Sequence, residues 1–283
     1  MRAFFRGYLT SLLGGVLLLA LTDAGRVACA QEMQYPVAAA VTDDGTIYIA
    51  DRDFHGIWKF AGGKLEKFFE GSAKFGTPLN AVRCVAMDHQ GKLLAGDSAT
   101  RDVYRFDDAG QPVPLTKGKI GVPTAIAVRK SGEILVADQE LMCVWKIPAE
   151  GGEPAKLADV AGIVGLCLDQ DDQLWVTSRV KIQLRRVSPD GQVENVLSDR
   201  PFTFPQNIAL DENKTAYITD NYAKAVWKVT AGGAPEKLIE GDPLVGPVGI
   251  TRAGGKLYVT DPKAKAVFQI EPDGKVTKLV PGA

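Results

Sequence analysis

The chain has 283 residues, of which 46% are hydrophobic and 24% are charged, and its formal net charge is −1 at pH 7. This near-neutral balance gives no overall attraction to nucleic acid or to an anionic membrane, so neither is expected as a partner. The length is sufficient for a large hydrophobic core, which excludes a small fold that depends on disulfide bonds.

The first 30 residues have the pattern of a secretory signal peptide. Arg2 and Arg6 precede an apolar run at 12–21, and the small residues Ala28-Cys29-Ala30 follow as a cleavage site. The run is about half of the ~20 residues that a membrane-spanning helix needs, so stable membrane insertion is not expected. Cleavage after Ala30 would leave a secreted or periplasmic domain at 31–283.

Six copies of one phrase fill that domain. Their common position is Asp in five copies and Ser in the fourth: Asp51, Asp97, Asp138, Ser178, Asp220 and Asp261. The steps between these positions are 40 to 46 residues, which is a period typical of propeller blades. Seven residues later, five copies have an aromatic residue: Trp58, Tyr104, Trp145, Trp227 and Phe268.

The third copy shows how one unit is expected to fold. Short apolar segments at Ala125–Val128, 133–137, Val144–Ile147 and 154–160 predict four strands, with Gly132 in the first turn. Helical repeats would place apolar residues three or four apart, and these copies do not. The prediction is an all-β, six-bladed β-propeller of four-stranded antiparallel blades. The blades are expected at about 36–76, 77–120, 121–160, 161–200, 201–243 and 244–283. Blade 6 would pack on blade 1, with 32–35 across the seam.

Two family resemblances follow from these residues. The phrase P-x-x-I-A-V…G-x-I-x-V-A-D…V-W-K-I resembles NHL repeats over 36–280. The copy F-P-Q-N-I-A-L…Y-I-T-D at 204–220 also resembles the senescence-marker/gluconolactonase family. That resemblance implies a catalytic metal held by Glu, Asn and Asp side chains at inner positions. Val37, Gln206 and Val248 stand at those positions here, so no metal and no other cofactor is expected.

The repeated residues are interpreted as scaffold. Each repeated carboxylate is expected to accept hydrogen bonds from the N–H groups of the loop that follows it. The aromatic residues are expected to fill the space between blades. Beyond the signal peptide three cysteines remain, Cys84, Cys143 and Cys167, and they are interpreted as free, buried thiols.

Function is expected where the copies differ, in the loops around the channel mouth. One residue of each inner strand should line this mouth, giving the ring Val37, Arg83, Thr124, Val164, Gln206 and Val248. The loops of blades 4 to 6 add five cations, which favours an anionic group on that half of the face. The predicted binding residues are Arg52, His55, Arg83, Arg179, Asn207 and Tyr222.

Blade 4 departs from the repeat at several positions together. Ser178 replaces the repeated Asp, and Arg185 replaces the aromatic residue, while Trp175 is a candidate to compensate for the missing ring. This pattern has two interpretations. One is neutral drift in a tolerant blade. The other is that Ser178, Arg179 and Lys181 open a basic notch beside Arg83 and Asn207.

These observations favour a monomeric binding platform for a protein, peptide, glycan or small anionic ligand, with no catalytic residue assigned. The alternative is a hydrolase or lyase of the gluconolactonase type that uses the same channel mouth, with either His55 as a general base or an unrecognised metal. A third possibility is a structural role in a larger assembly.

Overall fold

The protein forms a six-bladed β-propeller, as the repeats predict. The structure is a computed structural model that describes residues 32–280. Within this range the chain forms 24 strands in six four-stranded antiparallel sheets. Over the same residues, no helix is long and apolar enough to cross a membrane. The predicted signal segment and its cleavage site at Ala30 lie outside the described residues.

Each blade is built from four consecutive strands. Blade 1 comprises β1 (Pro36–Val41), β2 (Ile47–Asp51), β3 (Gly56–Ala61) and β4 (Lys64–Glu70). Blade 2 comprises β5 (Val82–Met87), β6 (Leu93–Asp97), β7 (Asp102–Phe106) and β8 (Pro112–Pro114). Blade 3 comprises β9 (Pro123–Val128), β10 (Ile134–Asp138), β11 (Cys143–Ile147) and β12 (Ala155–Asp159).

The other three blades repeat this order. Blade 4 comprises β13 (Ile163–Leu168), β14 (Leu174–Ser178), β15 (Leu184–Val187) and β16 (Val193–Asn195). Blade 5 comprises β17 (Pro205–Leu210), β18 (Ala216–Asp220), β19 (Ala225–Val229) and β20 (Glu236–Glu240). Blade 6 comprises β21 (Gly249–Ala253), β22 (Lys256–Asp261), β23 (Ala266–Ile270) and β24 (Val276–Val280).

The ring closes by packing between the first and last blades. Each inner strand contacts the inner strands of both neighbouring blades, and β21 contacts β1. Met33 is fully buried in the same hydrophobic cluster as Val267 and Val280. Glu32 forms an ion pair with Lys265 at 2.8 Å. The predicted position of residues 32–35 across the seam is therefore confirmed.

The five repeated aspartates are fully buried and hold the mouth of each blade together. As predicted, Asp138 accepts hydrogen bonds from the following amides of Glu140 and Leu141, both at 3.1 Å. It also accepts bonds from Gly121 N at 2.7 Å and Val122 N at 3.0 Å, which precede the inner strand. This second set was not predicted, because it joins residues about 16 positions apart. The carboxylate thus ties the start of the inner strand to the loop around the mouth.

The aromatic residues of the repeat have a polar role besides packing. The indoles of Trp58, Trp145 and Trp227 donate to the repeated aspartates of their own blades, at 2.9 to 3.2 Å. A buried carboxylate needs such donors to offset its lost hydration. The Trp and Asp of one blade therefore act as a pair.

In blade 4, other side chains take the place of this aspartate–tryptophan pair. Ser178 is 1% exposed and accepts a bond from Arg185 Nη1 at 3.2 Å, while its hydroxyl donates to the Ile182 carbonyl. Trp175 is buried in the cluster that includes the inner strand of blade 5, and its indole donates to Asp169 at 3.1 Å. A serine–arginine pair thus substitutes for the aspartate–tryptophan pair, and Trp175 supplies the ring from another position.

The three cysteines within residues 32–280 are free thiols, as predicted. Cys84 and Cys143 are buried, whereas Cys167 is half-buried. Burial raises the pKa of the Cys84 thiol to about 12 and that of Cys143 to about 11, because a thiolate is poorly stabilised in an apolar environment. These thiols therefore pack as small hydrophobic side chains.

Candidate functional site

A cavity of about 470 Å³ occupies the mouth of the central channel. All six residues of the predicted ring line it: Val37, Arg83, Thr124, Val164, Gln206 and Val248. The ring follows from the repeat, because one position of each copy reaches the same radius of the propeller. This prediction is confirmed.

In five blades a backbone irregularity at the start of the inner strand explains why the ring side chain lines the channel. In blade 2, Val82 pairs with Asp97 and Cys84 pairs with Gly96, which leaves Arg83 between the two pairs without a partner. Corresponding register shifts occur at the start of β1, β9, β13 and β17. A β-bulge of this kind redirects the extra side chain. The sequence did not reveal the bulges, although it located the residues.

Five of the six predicted binding residues line the cavity: Arg52, Arg83, Arg179, Asn207 and Tyr222. His55 does not. Its Nδ1 lies 2.6 Å from the carbonyl oxygen of Asn80, and its backbone has a φ of 59° in the turn before β3. The structure therefore places His55 against the connection between blades 1 and 2, outside the set of residues that lines the cavity.

The side chain of Arg179 is held by two hydrogen bonds and an aromatic ring. Its Nη2 donates to Gln206 Oε1, and its Nε donates to the Pro205 carbonyl at 3.3 Å. Its guanidinium carbon lies 4.1 Å from the ring centroid of Phe204. Burial lowers the pKa of Arg179, since the cation has lost part of its hydration. A blade 4 side chain is thus fixed by the start of the inner strand of blade 5.

Two aromatic rings continue this arrangement. Phe204 and Tyr222 stack with centroids 4.4 Å apart and an interplanar angle of 13°. Both line the cavity, and Tyr222 is 64% exposed. The sequence had indicated Tyr222 from its loop position, but it had not indicated Phe204, which stands in the scaffold phrase.

Arg52 and Arg83 form the cationic side of blades 1 and 2. Arg52 lies over the ring of Tyr35 at 4.0 Å and forms an ion pair with Asp53 at 2.8 Å. Arg83 donates from Nε to the Ser98 hydroxyl at 3.0 Å. The pKa of Arg83 is lowered mainly by burial, and the positive charge of Arg52 lowers it further. The two cations therefore repel each other, and of these two only Arg52 forms an ion pair with a described residue.

The cavity lining is positively charged. It includes Arg52, Arg83, Arg179 and Lys263, whereas none of the described residues that line it is acidic. Among residues 32–280, no carboxylate forms an ion pair with Arg83, Arg179 or Lys263. A partly dehydrated cation without a carboxylate partner is a favourable place for an anion.

The ring residues do not fit a divalent metal. Valines at positions 37 and 248 have no ligand atom, and the amide oxygen of Gln206 already accepts a bond from Arg179. Over the described part of the chain, no three His, Cys, Asp or Glu side chains are grouped to hold an ion. His89 cannot contribute, because its Nε2 contacts the Arg129 carbonyl at the turn between β5 and β6.

Asn207 connects the mouth to the inner part of the channel. It lines the mouth cavity and also a second cavity of about 350 Å³ formed by the inner strands. The glycine at 165 makes room for it, because a Cβ there would lie 2.7 Å from both the Cα and the Oδ1 of Asn207. Asn207 Oδ1 accepts the Ile208 amide at 2.9 Å, which fixes its side chain.

Comparison with known proteins gives a family and several related folds. Residues 14–221 match the sequence profile described as the SMP-30/Gluconolactonase/LRE-like region. A gluconolactonase from Xanthomonas campestris has 16% identity and a TM-score of 0.71, with 87% of each chain covered. A virginiamycin B lyase from Staphylococcus aureus has 17% identity and a TM-score of 0.67, with 88% of this chain and 84% of that chain covered.

A chain from the nidogen/laminin complex is also similar, with 17% identity and a TM-score of 0.67, covering 86% of this chain and 91% of that chain. A search of curated sequences finds no match. At these identities the solved structures show a shared fold alone.

Proposed function

Because the chain belongs to the SMP-30/gluconolactonase/LRE-like family, we propose that it uses the family's channel mouth to bind a small anionic ligand, held by arginines rather than by a metal. The observation that carries this proposal is the charge of the cavity. Four cations line it, none of the described lining residues is acidic, and two of the arginines are partly buried without a carboxylate partner.

The arginines are suited to hold an anion. A guanidinium presents a planar fork of N–H donors that matches a carboxylate or a phosphate. Arg179 is already oriented by Gln206 and by the face of Phe204, so little side-chain freedom is lost when a ligand binds. Arg83 is oriented by Ser98 in the same way. An anion would also reduce the repulsion between Arg83 and Arg52.

We also propose where the protein acts and in what oligomeric state. The signal pattern in residues 1–30 supports a secreted or periplasmic protein. We propose a monomer, and a ligand small enough for a cavity of about 470 Å³. A peptide or glycan would then enter the cavity with an acidic group rather than cover the whole face.

The test is a titration with citrate and with inorganic phosphate at constant ionic strength. Arg179→Met and Arg83→Met each remove one cation from the lining, and Arg200→Met removes an exposed cation outside it. A charged hydrogen bond contributes about 1.5–3 kcal/mol, so each cavity variant should weaken binding by about ten- to a hundredfold. Arg200→Met should change it by less than about twofold. Equal affinities in all variants would overturn the proposal.

Lactone hydrolysis is the second candidate function, and membership of the family favours it. In that case Arg83 and Arg179 would bind the developing oxyanion or the carboxylate product. A water molecule that attacks the lactone would need a general base to activate it, and the described lining of the cavity contains no His, Asp or Glu. The test is opening of gluconolactone followed with a pH indicator. A rate above background that Arg179→Met removes would favour the enzyme. A rate equal to background would favour a binding protein.

A further inference from the structure

Tyr222 is the exposed end of a stack of three planar side chains beside the cavity. Phe204 lies between the other two, with the guanidinium of Arg179 at 4.1 Å and the ring of Tyr222 at 4.4 Å. One face of a phenyl ring cannot hold two planar groups at these distances without a clash. The guanidinium and the tyrosine ring therefore lie on opposite faces of Phe204, and the second face of Tyr222 is free.

The exposure of Tyr222 is not explained by folding. The side chain is 64% exposed, so it removes little apolar area from water. Six other large hydrophobic side chains among residues 32–280 are similarly exposed, but Tyr222 alone among these seven lines the cavity. An exposed aromatic ring in a cavity is typical of a residue that contacts a ligand.

A second cation of the lining lies near the residue that precedes Tyr222. Arg179 covers Phe204, whereas the stem of Lys263 packs beside Gly246, which is hydrogen-bonded to Asn221, the residue before Tyr222. The position of Gly246 shows how close this packing is, because a Cβ there would lie 2.7 Å from Lys263 Cδ. Asn221 is itself fixed, since its Nδ2 donates to the Gly246 carbonyl at 3.0 Å. A ring that stacks on Tyr222 would lie at the end of the stack away from Arg179, and Lys263 lines the same cavity.

From this arrangement we propose that the preferred ligand is an aromatic carboxylate, whose ring stacks on the free face of Tyr222 and whose acid group pairs with a cation of the cavity lining. The inference rests on the proposed function, because it specifies which anion the cavity selects. The charge of the lining requires the acid, and the stack adds the requirement for a planar ring. Aromatic pairs prefer an offset-stacked or edge-to-face geometry over a face-to-face sandwich.

The test compares benzoate with cyclohexanecarboxylate in ligand-observed NMR titrations of the full chain. The two probes share one negative charge and a six-membered ring, but only benzoate is planar. Stacking between aromatic rings should make benzoate bind about two- to tenfold more tightly. Citrate, titrated in parallel, reports anion binding that does not depend on a ring.

Three variants separate the ring from other effects. Tyr222→Phe keeps the ring and should keep the preference for benzoate. Tyr222→Leu should abolish the preference and change the affinity for cyclohexanecarboxylate by less than about twofold. Phe75→Leu is the matched control, because Phe75 is 82% exposed and does not line the cavity. It should leave all affinities unchanged.

The outcomes distinguish this inference from the proposed function. Equal binding of both ring carboxylates by the wild type, or a preference that survives Tyr222→Leu, would overturn the inference. Citrate binding without any benzoate binding would overturn it as well, and in these cases anion binding itself would stand. If neither ring carboxylate nor citrate binds, the proposed function fails and the inference fails with it.

Discussion

Replacing one repeated aspartate by asparagine tests how the mouth of the propeller is held. Asp138 is fully buried, and its carboxylate accepts five hydrogen bonds. Three of them reach Oδ1, from the amides of Val122, Glu140 and Leu141. Two reach Oδ2, from Gly121 N at 2.7 Å and Trp145 Nε1 at 2.9 Å.

In Asp138→Asn, the amide oxygen can keep the three hydrogen bonds that reach Oδ1, whereas the two that reach Oδ2 must be lost. The NH₂ group of the asparagine would then face the two N–H donors of Gly121 and Trp145, so two buried donors lose their acceptor. Each unsatisfied buried donor costs about 1–3 kcal/mol, which gives about 2–6 kcal/mol in total. We expect the lower half of this range, about 3 kcal/mol, because the loop after β10 lies at the surface and can admit water.

The measurement is urea unfolding at pH 7 followed by tryptophan fluorescence, with the free energy of unfolding obtained by linear extrapolation. Asp107→Asn is the matched control. Asp107 is exposed, and both of its hydrogen bonds, from Ala109 N and Gln111 N, reach the same oxygen. That variant keeps both bonds and should lose less than about 0.5 kcal/mol. If the two variants lose equal stability, the buried carboxylate does not hold the blade as argued.

Other predictions concern pH, thiols, metals and blade 4. Burial opposes ionisation of Asp138, but its hydrogen bonds outweigh burial and lower its pKa below the usual 3.8. The stabilisation by the Asp138 carboxylate is therefore complete above about pH 4 and is lost as pH falls through the lowered pKa. In urea unfolding at pH 7, 4 and 3, the free energy of unfolding of the wild type should approach that of Asp138→Asn as the pH falls. Cys84 and Cys143 should react slowly with Ellman's reagent at pH 8 and rapidly in urea; fast reaction of the native thiols would contradict their burial. Treatment with a chelator, followed by its removal, should leave citrate affinity unchanged, and a loss after this treatment would show that a metal takes part. Ser178→Asp should weaken citrate binding at least threefold, because it places a carboxylate beside Arg179; unchanged affinity would contradict that electrostatic argument.

The repeat made the fold and the ring of the site predictable, because one position per copy has one place in the propeller. Tyr35 and Phe204 occupy the same place, directly before the first residue of an inner strand. The sequence therefore showed that both are aromatic. It could not show which cation covers each ring, since Arg52 reaches Tyr35 within blade 1 whereas Arg179 reaches Phe204 in the next blade. Contacts between blades depend on the angle between neighbouring blades in the ring, and the sequence of a single copy does not reveal that angle.

The departure of blade 4 from the repeat bears on the charge of the site. Asp51 adjoins Arg52 in the chain, and Asp97 acts on Arg83; each carboxylate favours the charged form of its arginine. Arg179 follows Ser178, and no carboxylate within residues 32–280 acts on it in the same way. Had the repeat been kept, a buried anion would partly offset the field of Arg179 at the cavity. Ser178 preserves the closure of the blade through Arg185 and the Ile182 carbonyl, and it leaves the neighbouring cation available to a ligand.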